Sequence, residues 1–343
     1  LSVRSLSRCY HAVIWAVGCE HGRELGVPGE GLGGVVSATD FVYWYNGHPD
    51  YRHHNYDLTG VSRAIVVGNG DVALDVARIL ARPVDELRTT DITDYALDAL
   101  AQSNLEEVVL LGRRGPAQAA CSTRMLKELG EVTQLVVDPA ELEIGAASEA
   151  WLSNGAERRN RDNMAYLRGG LPDNPGRRRV VLRFNASPVG LQAGVNGELG
   201  YAELVRNALV QHGDRMAAES TGETHREETQ LLISAIGYRG VAIQGLPFHE
   251  KWGTIPNVEG RVTDAAGRTL LGHYVVGWAK RGPTGVVGTN GPDAAATVER
   301  LLADIDDLPA PSADMDAWLD GRQVATFAHW LRLDEEEVRR GEG

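Results

Sequence analysis

Gly68-Asn69-Gly70 and, further along, Gly112-Arg113-Arg114-Gly115 have residue types and spacing that could do chemistry in this 343-residue chain. Glycines two apart permit a tight turn and a close backbone approach by a ligand. Two adjacent guanidiniums, with no carboxylate beside them, grip a phosphate through bidentate hydrogen bonds. Together they favour a site for a dinucleotide that carries an extra phosphate on its ribose, that is, NADP rather than NAD; the alternatives are a strand-to-helix turn without a ligand and a solvated basic turn.

The elements that position these groups are legible around them. Arg63-Ala64-Ile65-Val66-Val67 is a short, β-branched apolar run, as in a strand buried on both faces of a parallel sheet. After the glycines, Val72, Val76, Ile79 and Leu80 recur at helical spacing, with Ala73 at the third position of the G-x-G-x-x-G pattern. A diphosphate would lie against the free amides at that helix start. The strand Val108–Leu111 leads to the double arginine. It arrives later than the usual interval of about 20 residues, and Arg82 to Asn104 reads as a helical insertion.

A second glycine-rich stretch runs from Gly277 to Asn290, between the strand His273–Trp278 and a helix expected over Asp293–Ile305. Helix-start amides there are suited to the negative charge of a reduced flavin, and Trp278 offers a flat apolar wall. The alternative is a capped helix beside a core tryptophan.

Size predicts about two domains. A net charge of −13 argues against general affinity for nucleic acid or anionic membrane. No apolar run is long enough to span a bilayer. Cys9, Cys19 and Cys121 lack metal or redox spacing, as expected in a reducing cytoplasm.

In chain order, His11–Gly18 reads as an apolar strand entered from something upstream. Asp40–Pro49 reads as a helix closed by Asn46-Gly47 whose aromatics pack rather than stack on a cofactor, and His48, His53 and His54 as solvated. Gln118–Leu129 is a helix and Val132–Val137 a strand. Trp151–Arg179 reads as a polar, irregular loop. Its Arg158, Arg159, Arg177, Arg178 and Arg179 are either solvated or a basic landing patch for an acidic protein. Val180–Phe184, Pro188–Ala193 and Leu199–Val205 are short strands, with a hairpin signal at Asn196-Gly197. Gln230–Gly237 repeats the strand-then-glycine pattern, and the acidic tail forms one or two surface helices.

Taken together, Ala16-Val17-Gly18 with Arg23 and Val27-Pro28-Gly29-Glu30, Val67 through Leu80, Gly112 through Pro116, Ser234 through Tyr238, and Gly277-Trp278 through Thr289 resemble the adrenodoxin reductase-like family of ferredoxin–NADP⁺ reductases, actinobacterial branch. The resemblance implies an α/β fold with two Rossmann-like nucleotide-binding domains, the FAD domain incomplete. It places an FAD-domain remnant at 1–19, the NADP domain at 20–235, and the rest of the FAD domain with the acidic tail at 236–343. It implies hydride transfer from NADPH to FAD, then single electrons to a ferredoxin-type iron–sulfur protein. By position, Arg23, Asn69, Gly70, Asp71, Val72, Arg113, Arg114 and Gly285 would contact NADP, and Trp278, Gly285, Val286 and Val287 the flavin. Two departures stand out. Met125 replaces a family glutamate, and no N-terminal FAD corner precedes Gly18, so the chain reads as N-terminally truncated. The competing expectation is an NADP-binding remnant that has lost flavin and catalysis. Thioredoxin-reductase chemistry is excluded by the lack of a C-x-x-C pair.

Overall fold

The computed structural model describes residues 2–213, 215–285 and 287–341. The chain divides into two compact units, residues 22–236 and residues 2–21 with 237–338.

The first unit is built on a six-stranded, all-parallel sheet. Its spatial order is Val35–Ser37, Leu231–Ser234, Arg63–Val67, Glu107–Leu111, Arg179–Arg183, Gln134–Val137. The expected strand Arg63–Val67 lies inside this sheet, and Ala64, Ile65 and Val66 are fully buried. Alternate residues of the strand feed two different cores. Ala64 and Val66 face the helices Ala38–Tyr45, Asp71–Ala81, Asp94–Ala101 and Thr123–Val132. Ile65 and Val67 face an antiparallel meander of Ala186–Ala193, Leu199–His212 and Arg215–Glu228, joined on that side by Val109, Leu111 and Leu232. A strand covered on both faces needs apolar residues at every position, which is the pattern read from the sequence.

Between the glycine-turn helix and the next strand lie Val84–Leu87 and Asp94–Ala101, so the insertion is helical. Phe41, Trp44 and Tyr45 are core residues, as expected for packing aromatics. Thr123–Val132 begins later than expected because Ser122 caps it, its hydroxyl accepting from the Met125 amide. The loop expected over Trp151–Arg179 is instead largely helical, as Ala146–Asn154 and Arg158–Arg168. The inward positions of the second helix are Asn160, Asn163, Met164 and Leu167, at spacing i, i+3, i+4, i+7. Two of these four are asparagines, so an apolar stripe is not visible in the sequence.

In the second unit, Val13–Trp15 pairs in parallel with Thr269–Val275, which continues antiparallel to Arg261–Thr263 and then Asn257–Val258. The helix expected over Asp293–Ile305 spans Val287–Ala303 and has Pro292 inside it. Gly288 lies in the first turn, whose amides need no intrahelical partner, whereas Pro292 lies in the second turn and has no amide to give the Gly288 carbonyl. Arg261 clamps Asp304 through Nε (2.7 Å) and Nη2 (2.8 Å), and the Tyr274 hydroxyl donates to the same carboxylate at 2.8 Å. Arg261 and Tyr274 hold the Asp304 carboxyl at a pKa of about 2. The tail forms Met315–Leu319 and Phe327–Gly341, neither with a buried residue.

The Val13–Trp15 strand brings a pH dependence with it. Trp15 Nε1 donates to His273 Nδ1 at 3.2 Å, and Ser7 Oγ lies 3.1 Å from His273 Nε2. Burial lowers the His273 pKa below its ordinary 6.5. The unfolded chain therefore binds this proton more readily than the folded one. The stability contribution is present above 6.5 and is lost as pH falls below it. Chemical denaturation from about pH 7.5 to about pH 5 should show wild type losing more stability than His273→Gln. Parallel curves would remove His273 from the account.

Candidate functional site

The strands Arg63–Val67 and Glu107–Leu111 are parallel neighbours in register, with Val67 beside Leu111. Their exits, Gly68-Asn69-Gly70 and Gly112-Arg113-Arg114, therefore emerge side by side at one carboxyl edge of the sheet. The Gly68 amide donates to the Leu111 carbonyl (2.8 Å) and the Gly112 amide to that of Arg183 (2.8 Å). Ligand sites of parallel α/β sheets form at such an edge.

The two glycines of the turn have different jobs. Gly68 sits at φ +133°, and a Cβ there would overlap the carbonyl oxygen of Ala235, which follows the neighbouring strand. Its small size closes the sheet, which is the tight-turn part of the two roles expected of the pair. Gly70 has open space where a Cβ would be, and it is the N-cap of the helix Asp71–Ala81 without any side-chain cap bond. An uncapped 11-residue helix start with an open approach suits a diphosphate.

Asn69 Oδ1 accepts from the Ala120 amide at 3.4 Å, and the Asp71 carboxylate accepts from the Ser122 amide at 2.6 Å. Asp71 thus spends its carboxylate on the loop. Val72 is half-buried against the helix-side core.

Arg113 is exposed and Arg114 half-buried. Among the described residues neither has a carboxylate within ion-pair distance. Burial lowers the Arg114 pKa, and the neighbouring charges of Arg113 and Arg159 lower it further. Guanidiniums gathered in this way could hold a phosphate through bidentate hydrogen bonds. Met125 is half-buried on the following helix and packs against the core. Cys121, under this loop, is buried, which pushes its thiol up to about 12 and keeps it protonated.

Arg23 is exposed at the start of the segment leading to Val35–Ser37. That segment is fixed by Glu30, whose carboxylate accepts from the amides of Leu25 (2.6 Å) and Gly26 (2.7 Å).

In the other unit the register places Trp15 beside Val275, so Gly18 and Gly277 leave adjacent parallel strands at the same edge. Both have positive φ, at +66° and +65°. The Gly277 amide donates to Asp293 Oδ2 at 2.6 Å, and Asp293 is held in turn by Lys280 Nζ (3.0 Å) and Arg281 Nη1 (3.3 Å). This fixes Trp278, which is half-exposed with its ring 5.4 Å from that of Tyr238. Gly285 is exposed at φ +83°. Val286, and the side chain of Val287, lie outside the described residues. A glycine turn, an available indole face and a long helix start fit a flavin's ring and anionic edge.

A parallel sheet with an open glycine corner, in a chain whose other unit repeats the strand–glycine exit, defines the class of two-domain dinucleotide-binding oxidoreductases. No family model matches the sequence. NADPH-ferredoxin reductase FprA of Mycobacterium tuberculosis is 44% identical, over 98% of this chain and 75% of that protein. Mitochondrial NADPH:adrenodoxin oxidoreductase of Salvelinus fontinalis is 39% identical, over 100% and 71%. The solved structure of M. tuberculosis FprA in complex with NADPH superposes with a TM-score of 0.81 at 41% identity, covering 98% of this chain and 71% of that one. The chain belongs to the adrenodoxin reductase-like family of ferredoxin–NADP⁺ reductases.

Proposed function

We propose that the protein is an NADPH-dependent flavoprotein reductase that serves a ferredoxin-type iron–sulfur protein. The observation that carries this is the double arginine: Arg113 and Arg114 lie beside the glycine turn on adjacent strand exits, unneutralised by any described carboxylate. That arrangement selects a ribose 2′-phosphate.

In this reading the unit of residues 22–236 holds NADPH. The backbone amides of Asn69, Gly70, Asp71 and Val72 take the diphosphate, Arg113 and Arg114 the 2′-phosphate, and Arg23 a further contact. Residues 2–21 with 237–338 contribute to the flavin site through Trp278, Gly285, Val286 and Val287, with Gly285 also toward the nicotinamide. FAD, when bound, supplies the conversion of a two-electron donor into single-electron delivery. The hydride step calls on no side chain as acid, base or nucleophile; the residues bind, orient and set the local field.

We assign the iron–sulfur partner to Arg158, Arg159, Arg177, Arg178 and Arg179, which do not form one face. Arg179 enters its strand beside Glu107 at the amino edge of the sheet, whereas Arg159 bonds Ala120 next to the glycine turn at the carboxyl edge. The exposure of each grades its part in docking. Arg158 (87% exposed) and Arg179 (56%) reach solvent, although they also pair with Asp162 and Glu107. Arg177 is paired with Glu86, Arg178 bonds the Leu80 carbonyl, and Arg159 faces Glu157. No described helix is long and apolar enough to cross a membrane. With three free thiols, a reducing cytoplasm is the proposed location.

The test is purified protein supplied with FAD, NADPH and a ferredoxin. Flavin absorbance and NADPH-driven ferredoxin reduction are expected. Tight NADPH binding with neither flavin absorbance nor electron transfer would sink the reductase reading in favour of a binding remnant.

A further inference from the structure

The loop after the double arginine is a strap whose backbone is read from both sides. From one side, the Ala120 amide donates to Asn69 and the Ser122 amide to Asp71, tying the strap to the glycine turn. From the other side, the helix Arg158–Arg168 takes four of its carbonyls. Asn160 Nδ2 donates to Ala117 (2.9 Å) and Ala119 (3.3 Å), Arg159 Nη1 to Ala120 (3.0 Å), and Asn163 Nδ2 to Cys121 (2.9 Å). Asn163 Oδ1 also accepts from Thr123 Oγ1 at 2.7 Å. Asn160 and Asn163 are buried, so both side chains spend their hydrogen-bonding capacity on placing this helix.

We propose that Arg159 is a third phosphate-holding guanidinium of the nucleotide site, a specificity residue for the 2′-phosphorylated cofactor and not part of a protein-docking face. The proposal rests on the 2′-phosphate reading of Arg113 and Arg114. Ala120 is one residue bonded by Asn69 on its amide and by Arg159 on its carbonyl, so Arg159 stands one peptide away from the glycine turn. Its charge also reaches Arg114, whose pKa burial and Arg113 lower as well. Among the described residues, the carboxylate paired with it is Glu157, 3.2 Å away and 74% exposed, so it screens Arg159 weakly and can yield to a phosphate. A third cation on a separate, rigidly tethered helix widens the phosphate contact beyond the single turn that the sequence shows.

The test compares two ligands on the full chain by calorimetry: adenosine 2′,5′-bisphosphate and adenosine 5′-phosphate. Arg159→Gln keeps a donor for the Ala120 carbonyl and removes the charge. It should weaken the bisphosphate about tenfold and leave the monophosphate within about twofold. Arg159→Lys should recover part of the loss. The salt dependence of bisphosphate affinity should also become shallower. Equal loss for both ligands, or no loss for either, overturns the proposal and returns Arg159 to the set of candidate docking arginines. Arg113→Ala with Arg114→Ala runs as a separate arm: if that pair keeps its preference for the bisphosphate, the parent reading fails, whatever Arg159 does.

Discussion

Arg113→Ala combined with Arg114→Ala should abolish the preference for NADPH over NADH while leaving the fold intact. Each charge-assisted phosphate contact is worth about 1.5–3 kcal/mol. Losing two lowers NADPH affinity by about two to four orders of magnitude, since about 1.4 kcal/mol is tenfold. NADH lacks the phosphate and should be held as before by the turn at Gly70. The fold should survive because neither guanidinium has a described carboxylate partner, and removing Arg114 relieves repulsion from Arg113 and Arg159. Fluorescence titration with both nucleotides checks this, and an equal loss for both would move the 2′-phosphate elsewhere.

The second large effect separates the two glycines of the turn. Gly68→Ala should destabilise the protein by about 2–5 kcal/mol, combining a strained left-handed backbone with overpacking. A Cβ on Gly68 meets the Ala235 carbonyl, and neither backbone can retreat without opening the sheet between Arg63–Val67 and Leu231–Ser234. Gly70→Ala should leave the melting temperature within a few degrees, because nothing occupies the space its Cβ would take. It should still weaken NADPH, whose diphosphate needs that opening. Thermal melts paired with nucleotide titrations test both. A stable Gly68→Ala would show that the Ala235 contact does not constrain the turn.

The corner itself was legible because its signals are local. A doubly buried strand is apolar throughout, a tight turn needs glycine, and a helix shows its period. What escaped was encoded at long range or in polar residues. The division of labour between Gly68 and Gly70 depends on Ala235, far along the chain. The helix Arg158–Arg168 buries Asn160 and Asn163, whose inward positions look solvated until the carbonyls of the strap are seen. The strand Arg215–Glu228 is polar and shows no alternation, since its pairing with Leu199–His212, rather than burial, holds its outer half. Gly288, Gly291 and Pro292 hid the first two turns of another helix for a different reason: these residue types signal a loop, yet the helix runs through them.

The order of strands has a consequence for how the protein is made. Leu231–Ser234 is the last strand of its sheet to leave the ribosome, yet it fits between Val35–Ser37 and Arg63–Val67, which leave first. Until it arrives, the nascent chain carries an open, apolar strand edge at Arg63–Val67, the kind of edge that invites wrong pairing. Translation halted before residue 234 should therefore yield a chaperone-dependent, aggregation-prone polypeptide that cannot finish the nucleotide corner.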